Sequence, residues 1–489
     1  MKIIGIILLL ITSTCQVFPQ TGFVFRYSTN QDEIPNDIIE TNDGGFIISA
    51  SIGSYPLTYQ SLLIRLNRFG DTIKTKKINQ EQGICYLNDL IKLDNGTYMG
   101  IGEKKTENNS TRIWLLILSD SLSIIKDTSF STELKFLGNM VYCFMDHFHE
   151  IIVYGCADPN SGPPGPFPYI FKFSQSCDSL FFHYYTNPWG QYVFSMMEKH
   201  NNSGYLMSLF GSYNGQMYSP SQFLTMDYLF NVTQVDSVPG KLDFYLNTKT
   251  NIGTEFYATG KRHFYNSNPR TDKIGILKLD TNFHIRSEFF LGPDDTVSYP
   301  AYNTNIDFIN EQNIYLGGVV NQDWGGIFSY NQSFIVLGKL DSSLSLTWQK
   351  YYGGDMYYMV WSVIATTDGG CIIGATSNDY AIQGENRDIY ILKVDSNGLI
   401  TGISDPPDSD LKRNLVYPNP GNEILNIETS LKQSTLSLYD LSGRLVSTTE
   451  LHVGRNSINT QSINPGLYIF KISENSVITA CGKWIKSSK

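Results

Sequence analysis

The sequence predicts an all-β chain whose main body is a seven-bladed β-propeller. Three observations predict it. A pattern of short apolar strands recurs seven times along the chain. Aromatic residues reach 13% while charged residues stop at 17%; rings suit a pleated surface, and so little charge argues against disorder. No stretch sustains the 3.6-residue apolar period of a helix.

The first element is a leader. Lys2 is followed by the apolar run Ile3 to Ile11 and by small residues at Ser13-Thr14-Cys15. Residues 1–20 therefore read as a secretory signal peptide. The run is too short to span a bilayer. Thr14 is a poor neighbour for a lipidated cysteine, so a lipoprotein anchor at Cys15 is the weaker reading. No later apolar run approaches ~18 residues, and no transmembrane segment is expected.

Residues 21–402 carry the repeat. DGGFIISAS at Asp43 returns as DGGCIIGATS at Asp368. The first strand residue of each unit is Phe46, Tyr98, Ile151, Tyr205, Phe256, Ile314 or Cys371, spaced 51 to 58 residues apart. A second register ends on Leu66, Leu118, Phe173, Met226, Leu279, Leu340 and Val394. Units of this length built from short strands are propeller blades. Directly after the second register stand Asn67, Ser119, Ser174, Asp227, Asp280, Asp341 and Asp395, all able to bond back to the backbone and start a turn. Four residues past the first register, six of the seven positions are small: Ala50, Gly102, Gly155, Gly260, Gly318 and Ala375, with Leu209 the exception. Backbones are expected to approach closely there. A cation recurs before the second register (Arg65, Lys172, Lys278, Lys339, Lys393). The expectation is a stem packed along the sheet with its charge in water.

Each unit thus reads as four strands. The N-terminal FVFRYSTN, Phe23 to Asn30, precedes the first unit and resembles a fourth strand such as that at Thr347. Pairing it with the seventh blade closes the ring and removes an exposed sheet edge. With their DGG-F and LD-NG signatures, these residues resemble the repeat propellers of secreted bacterial proteins. That resemblance implies fold and secretion, not an activity.

Residues 403–410 are a linker, acidic and proline-rich around Asp405-Pro406-Pro407-Asp408. Residues 411–489 change pattern. Tyr417-Pro418-Asn419-Pro420 opens them; LYDLSGRLV brings Asp440 and Gly443; PGLY brings Gly466 and Tyr468; KWIK brings Lys483 and Lys486. In order and separation these motifs resemble the type A C-terminal sorting domain of the type IX secretion system of Bacteroidetes. The resemblance implies a small antiparallel β-sandwich, immunoglobulin-like, read by the type IX secretion machinery. It also implies release or cell-surface attachment after the outer membrane is crossed. Ser487 to Lys489 extend past the usual basic end, and Cys481 stands where the pattern has no cysteine.

Chemistry is sparse. Net charge is −10 without a basic stripe, which sets nucleic acid aside. GxSxG, GxxxxGK[ST] and calcium-loop patterns do not occur, so no catalytic, cofactor or metal residues are assigned. Asp146-His147-Phe148-His149-Glu150 is the densest set of possible metal ligands, but it falls where other units turn, and a solvated turn is expected. Cys156 and Cys177 follow different strands, whose ends lie roughly 20 Å apart, too far for a disulfide. Carboxylates are numerous, and a glycosidase pair is defined by separation in space. The informative asymmetry is in the loops. Second-to-third and inter-blade connections share one face and are rich in rings, among them Trp189, Tyr218, Tyr265, Trp324 and Tyr357. Rings among amides and hydroxyls suit a glycan or protein ligand. The leading expectation is an exported binding protein. Its rivals are a glycan- or peptide-directed hydrolase with carboxylates at the channel mouth, and a structural surface component.

Overall fold

The computed structural model describes residues 22–53, 59–78, 84–105, 111–131, 141–157, 167–185, 191–199, 203–211, 222–237, 241–250, 255–264, 270–322, 331–379, 386–400, 415–429, 431–440, 443–474 and 477–487. The leader, the linker and Trp189, Tyr218, Tyr265 and Trp324 lie outside them.

Seven antiparallel sheets carry the first part of the chain, and no helix occurs among the described residues. Blade 1 is typical, with strands Asp32–Glu40, Phe46–Gly53, Gln60–Leu66 and Thr72–Ile78 paired in chain order. Blades 2 to 5 repeat this arrangement over 85–131, 141–184, 191–237 and 244–291. Blade 6, over 298–353, has its first strand split into Ser298–Pro300 and Ile306–Asp307. Blade 7 takes three strands from 357–394 and its fourth from the N-terminal Phe23–Tyr27. Phe23 stands opposite Lys393 and Tyr27 opposite Ile389. The ring closes by the expected pairing.

A blade alone has two apolar faces and no interior. Each face is buried against the next blade, and seven clusters fill the seven junctions. Between blades 7 and 1, for example, Ile372, Ile389 and Ile391 meet Ile38, Ile48 and Ile64, all nearly inaccessible to water. At about 25 cal/mol per Å² of apolar area, burial of this kind is the main term holding the ring.

The small-residue register has a local cause. In blades 1, 2, 4, 5 and 7 the inner strand carries a β-bulge, for instance between Pro35 and Asp37 and between Leu87 and Asp89. The residue before the bulge stands opposite the small position: Pro35 opposite Ala50, Leu87 opposite Gly102, Tyr245 opposite Gly260, Val360 opposite Ala375. A Cβ added to Gly102 would lie 2.7 Å from the Leu87 Cα. A bulged strand bends, and the bend brings the two backbones together.

The expected turns form. Asn67 Oδ1 accepts the Phe69 and Asp71 N–H groups, and Asp227, Asp280, Asp341 and Asp395 repeat the pattern. The Asp146 segment is also a turn: its carboxylate caps Phe148 and Glu150, and His149 takes φ 59°. Cys156 and Cys177 are not bridged.

Two of the five recurring cations correct the expectation, while Lys172, Lys278 and Lys339 stay partly exposed. Arg65 is 1% exposed and Lys393 2%. Their charges do not reach water, because the aspartate of the DGG turn meets them. Arg65 Nη2 lies 2.8 Å from Asp43 and 3.2 Å from Asp120 of the next blade's turn. Lys393 Nζ lies 2.9 Å from Asp368.

The second unit has sheets Leu415–Tyr417, Ile424–Thr429, Gly454–Asn459 and Leu445–Leu451, Ser434–Tyr439, Gly466–Glu474, Val477–Lys486, around its own core of Leu425, Leu436, Leu438, Ile472 and Trp484.

Candidate functional site

The inner strands line a central channel that encloses about 280 Å³. The residue facing the fourth position of each second strand is polar in every blade: Asp37, Asp89, Tyr142, Ser195, Asn247, Asn305 and Ser362. In five blades a bulge places this side chain where neighbouring inner strands approach, and these residues and their neighbours join blade to blade. Asp37 Oδ2 accepts the Leu90 N–H at 2.9 Å, and Asp89 Oδ2 accepts the Cys143 N–H at 2.6 Å. The Val193 N–H donates to Cys156 Sγ, and Ser195 Oγ meets Thr248 Oγ1 at 2.9 Å. Asn247 Oδ1 accepts the Asn305 N–H, and Asp307 Oδ2 accepts the Ala365 N–H at 2.8 Å. Glu40 receives the Thr367 N–H, which completes the circle. Asn303 Nδ2 donates across the opening to the Asn36 carbonyl.

Three carboxylates, Asp37, Asp89 and Asp307, therefore converge on the channel with Tyr142 and Tyr154. Asp37 and Asp89 hydrogen-bond to each other, and burial together with this contact raises the Asp37 carboxyl well above its usual range. Burial also raises Asp89. Two carboxyls in contact share one proton. Asp307 instead pairs with Lys249, whose ammonium burial lowers to about 8. The Cys143 thiol beside Asp89 is pushed well up by burial, far from a nucleophilic thiolate. Among the described residues no group of three or more His, Cys, Asp and Glu is arranged to hold a metal ion.

On the loop face the structure unites three of the inter-blade rings. Tyr299 stacks on Tyr302 with centroids 5.1 Å apart, and Tyr302 meets Trp361 at 5.3 Å. All three are half-buried, and Gln322 Nε2 donates to the Tyr302 hydroxyl. Tyr357 does not join them. It is 1% exposed at the start of its strand and turns no ring to solvent, so it leaves the set of ligand-face candidates.

In the second unit the four motifs meet. Asn419 Nδ2 donates to the Lys483 carbonyl and its Oδ1 accepts the Ile485 N–H. Trp484, fully buried, donates to the Pro418 carbonyl. Lys486 donates to Asn422, and its side chain is buried. Tyr417 is buried, and Gly421 N–H donates to the Ile485 carbonyl just beyond Pro420. Asp440 caps the turn that Gly443 completes at φ 82°. Tyr468 packs against Trp484 and donates to the Asn464 carbonyl, two residues before Gly466. The YPNP and KWIK segments are thus two halves of one structural lock.

Residues 415–487 match the family model of the secretion system C-terminal sorting domain. No curated protein sequence matches the chain. Among solved structures, PorZ, a bacterial surface component of the type IX secretion system of Porphyromonas gingivalis, aligns at 11% identity and TM-score 0.28, over 93% of this chain and 52% of PorZ. The α-L-arabinofuranosidase Arb93A of Fusarium graminearum aligns at 10% identity and TM-score 0.40, over 76% of this chain and 97% of its own. The Penicillium chrysogenum α-L-arabinanase, bound to arabinobiose, aligns at 10% identity and TM-score 0.39, over 77% and 98%. The chain spans about half the length of PorZ. No helix among the described residues is long and apolar enough to cross a membrane.

Proposed function

We propose that this propeller, carried across the outer membrane by its type IX secretion sorting domain, is a non-catalytic recognition module. Its ligand is a glycan or a protein met by the ring-rich loop face. The observation that carries this reading is the commitment of the channel carboxylates. Asp37, Asp89 and Asp307 each hold the backbone N–H of the following blade. A glycosidase pair needs a gap of about 5 to 10 Å for sugar or water, and Asp37 and Asp89 are in contact instead. The hydrolase reading keeps one point in its favour, that three carboxylates and two tyrosines do share the channel. The recognition reading draws on the half-buried Tyr299–Tyr302–Trp361 stack and, from the sequence alone, on the rings Trp189, Tyr218, Tyr265 and Trp324.

The test is the mature full chain on a glycan array and in surface-protein binding assays. Expected is saturable binding that falls at least about tenfold, ~1.4 kcal/mol, in the double variant Trp189→Ala/Trp324→Ala and is unchanged in Asp307→Asn. Turnover of a glycan or peptide that Asp307→Asn abolishes would establish the hydrolase.

A further inference from the structure

The seven outer strands all lie at sheet edges, and natural proteins guard such edges with charge. Six do so here: Lys74, Lys76 and Lys77 in blade 1, Lys126 and Asp127 in blade 2, Asp236 in blade 4, Arg286 and Glu288 in blade 5, Lys350 in blade 6, Arg26 in blade 7. The blade 3 strand, Ser179–Tyr184, reads SLFFHY and has no acid, lysine or arginine.

Its two faces differ. Phe181 stacks on Phe230 of blade 4 at 5.0 Å, and just past the strand Tyr185 donates to the Phe230 carbonyl. That face serves the ring. The other face holds Leu180, Phe182 and Tyr184, exposed by 49%, 36% and 39%, and the ring explains none of that exposure. The Tyr185 N–H donates inward to Pro168. By the alternation of an antiparallel ladder, Tyr184 and Phe182 then direct their N–H and C=O groups outward. The same residues offer outward-facing backbone and exposed apolar side chains.

We infer that this strand pairs antiparallel with its own counterpart in a second copy of the chain, about a two-fold axis near Phe182. The symmetric spacing of Leu180, Phe182 and Tyr184 about that axis selects that occupant. In an isologous contact residue i meets residue j and j meets i, so an axis at Phe182 sets Leu180 beside the copy's Tyr184 and Phe182 beside its own mate, one exposed apolar side chain on another. The three lysines of blade 1 would face lysines, and like charges opposite one another are destabilising. The blade 3 strand meets its copy without a charge on either side. A partner protein recognised by charge would instead have found its complement on any of the other six edges.

Sedimentation velocity on the mature full chain, over about a hundredfold range of concentration, reads the result. Expected is a reversible dimer whose dissociation constant rises at least about tenfold in Phe182→Lys and in Tyr184→Lys. Val235→Lys, on the exposed outer strand of blade 4, leaves it unchanged. Because Phe182 also stacks on Phe171 at 4.1 Å, Phe182→Cys supplies a second arm. Paired α-carbons about 5.5 Å apart fall within disulfide reach, so mild oxidation gives a covalent dimer that the wild type does not form. A chain that stays monomeric throughout, or a dimer that survives both lysine variants while they remain folded, overturns the inference. So does a Phe182→Cys chain that never cross-links.

Discussion

The channel and the turn face of this ring use the same residue in opposite ways. In the channel, Asp37 and Asp89 face backbone N–H groups and each other, and burial raises both carboxyls so that the pair holds one proton between them. On the turn face, Thr41, Arg65 and the Gly45 N–H overcome the burial penalty at Asp43 and bring its carboxyl down to about 2. Asp368 beside Lys393 is lowered likewise, its partners again outweighing burial. The difference shows what each region is for. The turn face fixes charge against charge between blades, whereas in the channel Asp37 and Asp89 share a proton and only Asp307 keeps a cation, Lys249. Carboxylates that stitch backbone to backbone are poorly placed to attack a substrate.

The sharpest way to break this comparison is to remove an acid whose cation cannot reach water. Asp32 and Arg387 join blade 1 to blade 7 with side chains only 4% and 2% exposed, and Asp32 also accepts the Arg387 N–H. Asp32→Ala leaves a guanidinium buried with Tyr59 beside it. The expected loss is about 3–5 kcal/mol, read by urea denaturation. Adding Arg387→Met should recover much of it, because the cost is the stranded charge.

A channel acid should behave otherwise. Asp37→Asn keeps an acceptor for the Leu90 N–H and gains a donor toward Asp89, replacing the shared proton. Its expected cost is under about 1 kcal/mol, again by urea denaturation at neutral pH. A loss as large as that of Asp32→Ala would mean that Asp37 carries charge as an acid beside a buried cation does, and its assignment to a proton-sharing pair would fail.

Much of the ring is written locally. The turn-starting Asn67 or Asp395, the small residue at Gly102 or Ala375, and the fourth strand at Phe23–Tyr27 are each set by neighbours in chain or ladder. What stayed hidden depends on residues far apart. Arg65 is buried because Asp43 and Asp120 meet it from two blades. The bulges that group Asp37 with Asp89 leave no composition signal. The turn after the third strand places a residue at positive φ in every blade: Gly70 and Gly398 in two, but Leu122, Cys177, Phe230, Phe283 and Leu344 in five. That conformation costs a side-chain-bearing residue roughly 1–2 kcal/mol, and burial of all five offsets it. Where glycine stands, a ring from the preceding blade takes the space, Phe23 at Gly70 and Trp348 at Gly398. Either the turn supplies the plug or its neighbour does, and only the assembled junction shows which. The ring stack was less legible still: Tyr299 and Tyr302 are near neighbours in blade 6, but Trp361 is far from them in sequence and meets Tyr302 only because blades 6 and 7 adjoin.

The pH dependence of stability gives the finest test. Glu103, 6% exposed at the end of a blade 2 strand, accepts a hydrogen bond from Tyr86 at 3.2 Å. Burial nevertheless raises its carboxyl from 4.5 to about 8. The unfolded chain releases this proton near 4.5 and the folded chain near 8, so between those values the folded state holds more protons. Its contribution is whole below pH 4.5 and is lost as pH climbs through 8, with a slope of up to about 1.4 kcal/mol per pH unit. Glu33, raised to about 7 by burial, works in the same direction. The acids lowered on the turn face act only below the ordinary carboxylate range and leave this window alone. Urea midpoints of the wild type should therefore fall between about pH 5 and about pH 8, and Glu103→Gln, which holds the site neutral at every pH, should remove its own share of that fall and leave the shares of Glu33 and of the Asp37–Asp89 pair. An unchanged slope in Glu103→Gln would show that the carboxyl ionises normally in the folded chain, and the loop-face end of blade 2 would then belong with the charged turn face.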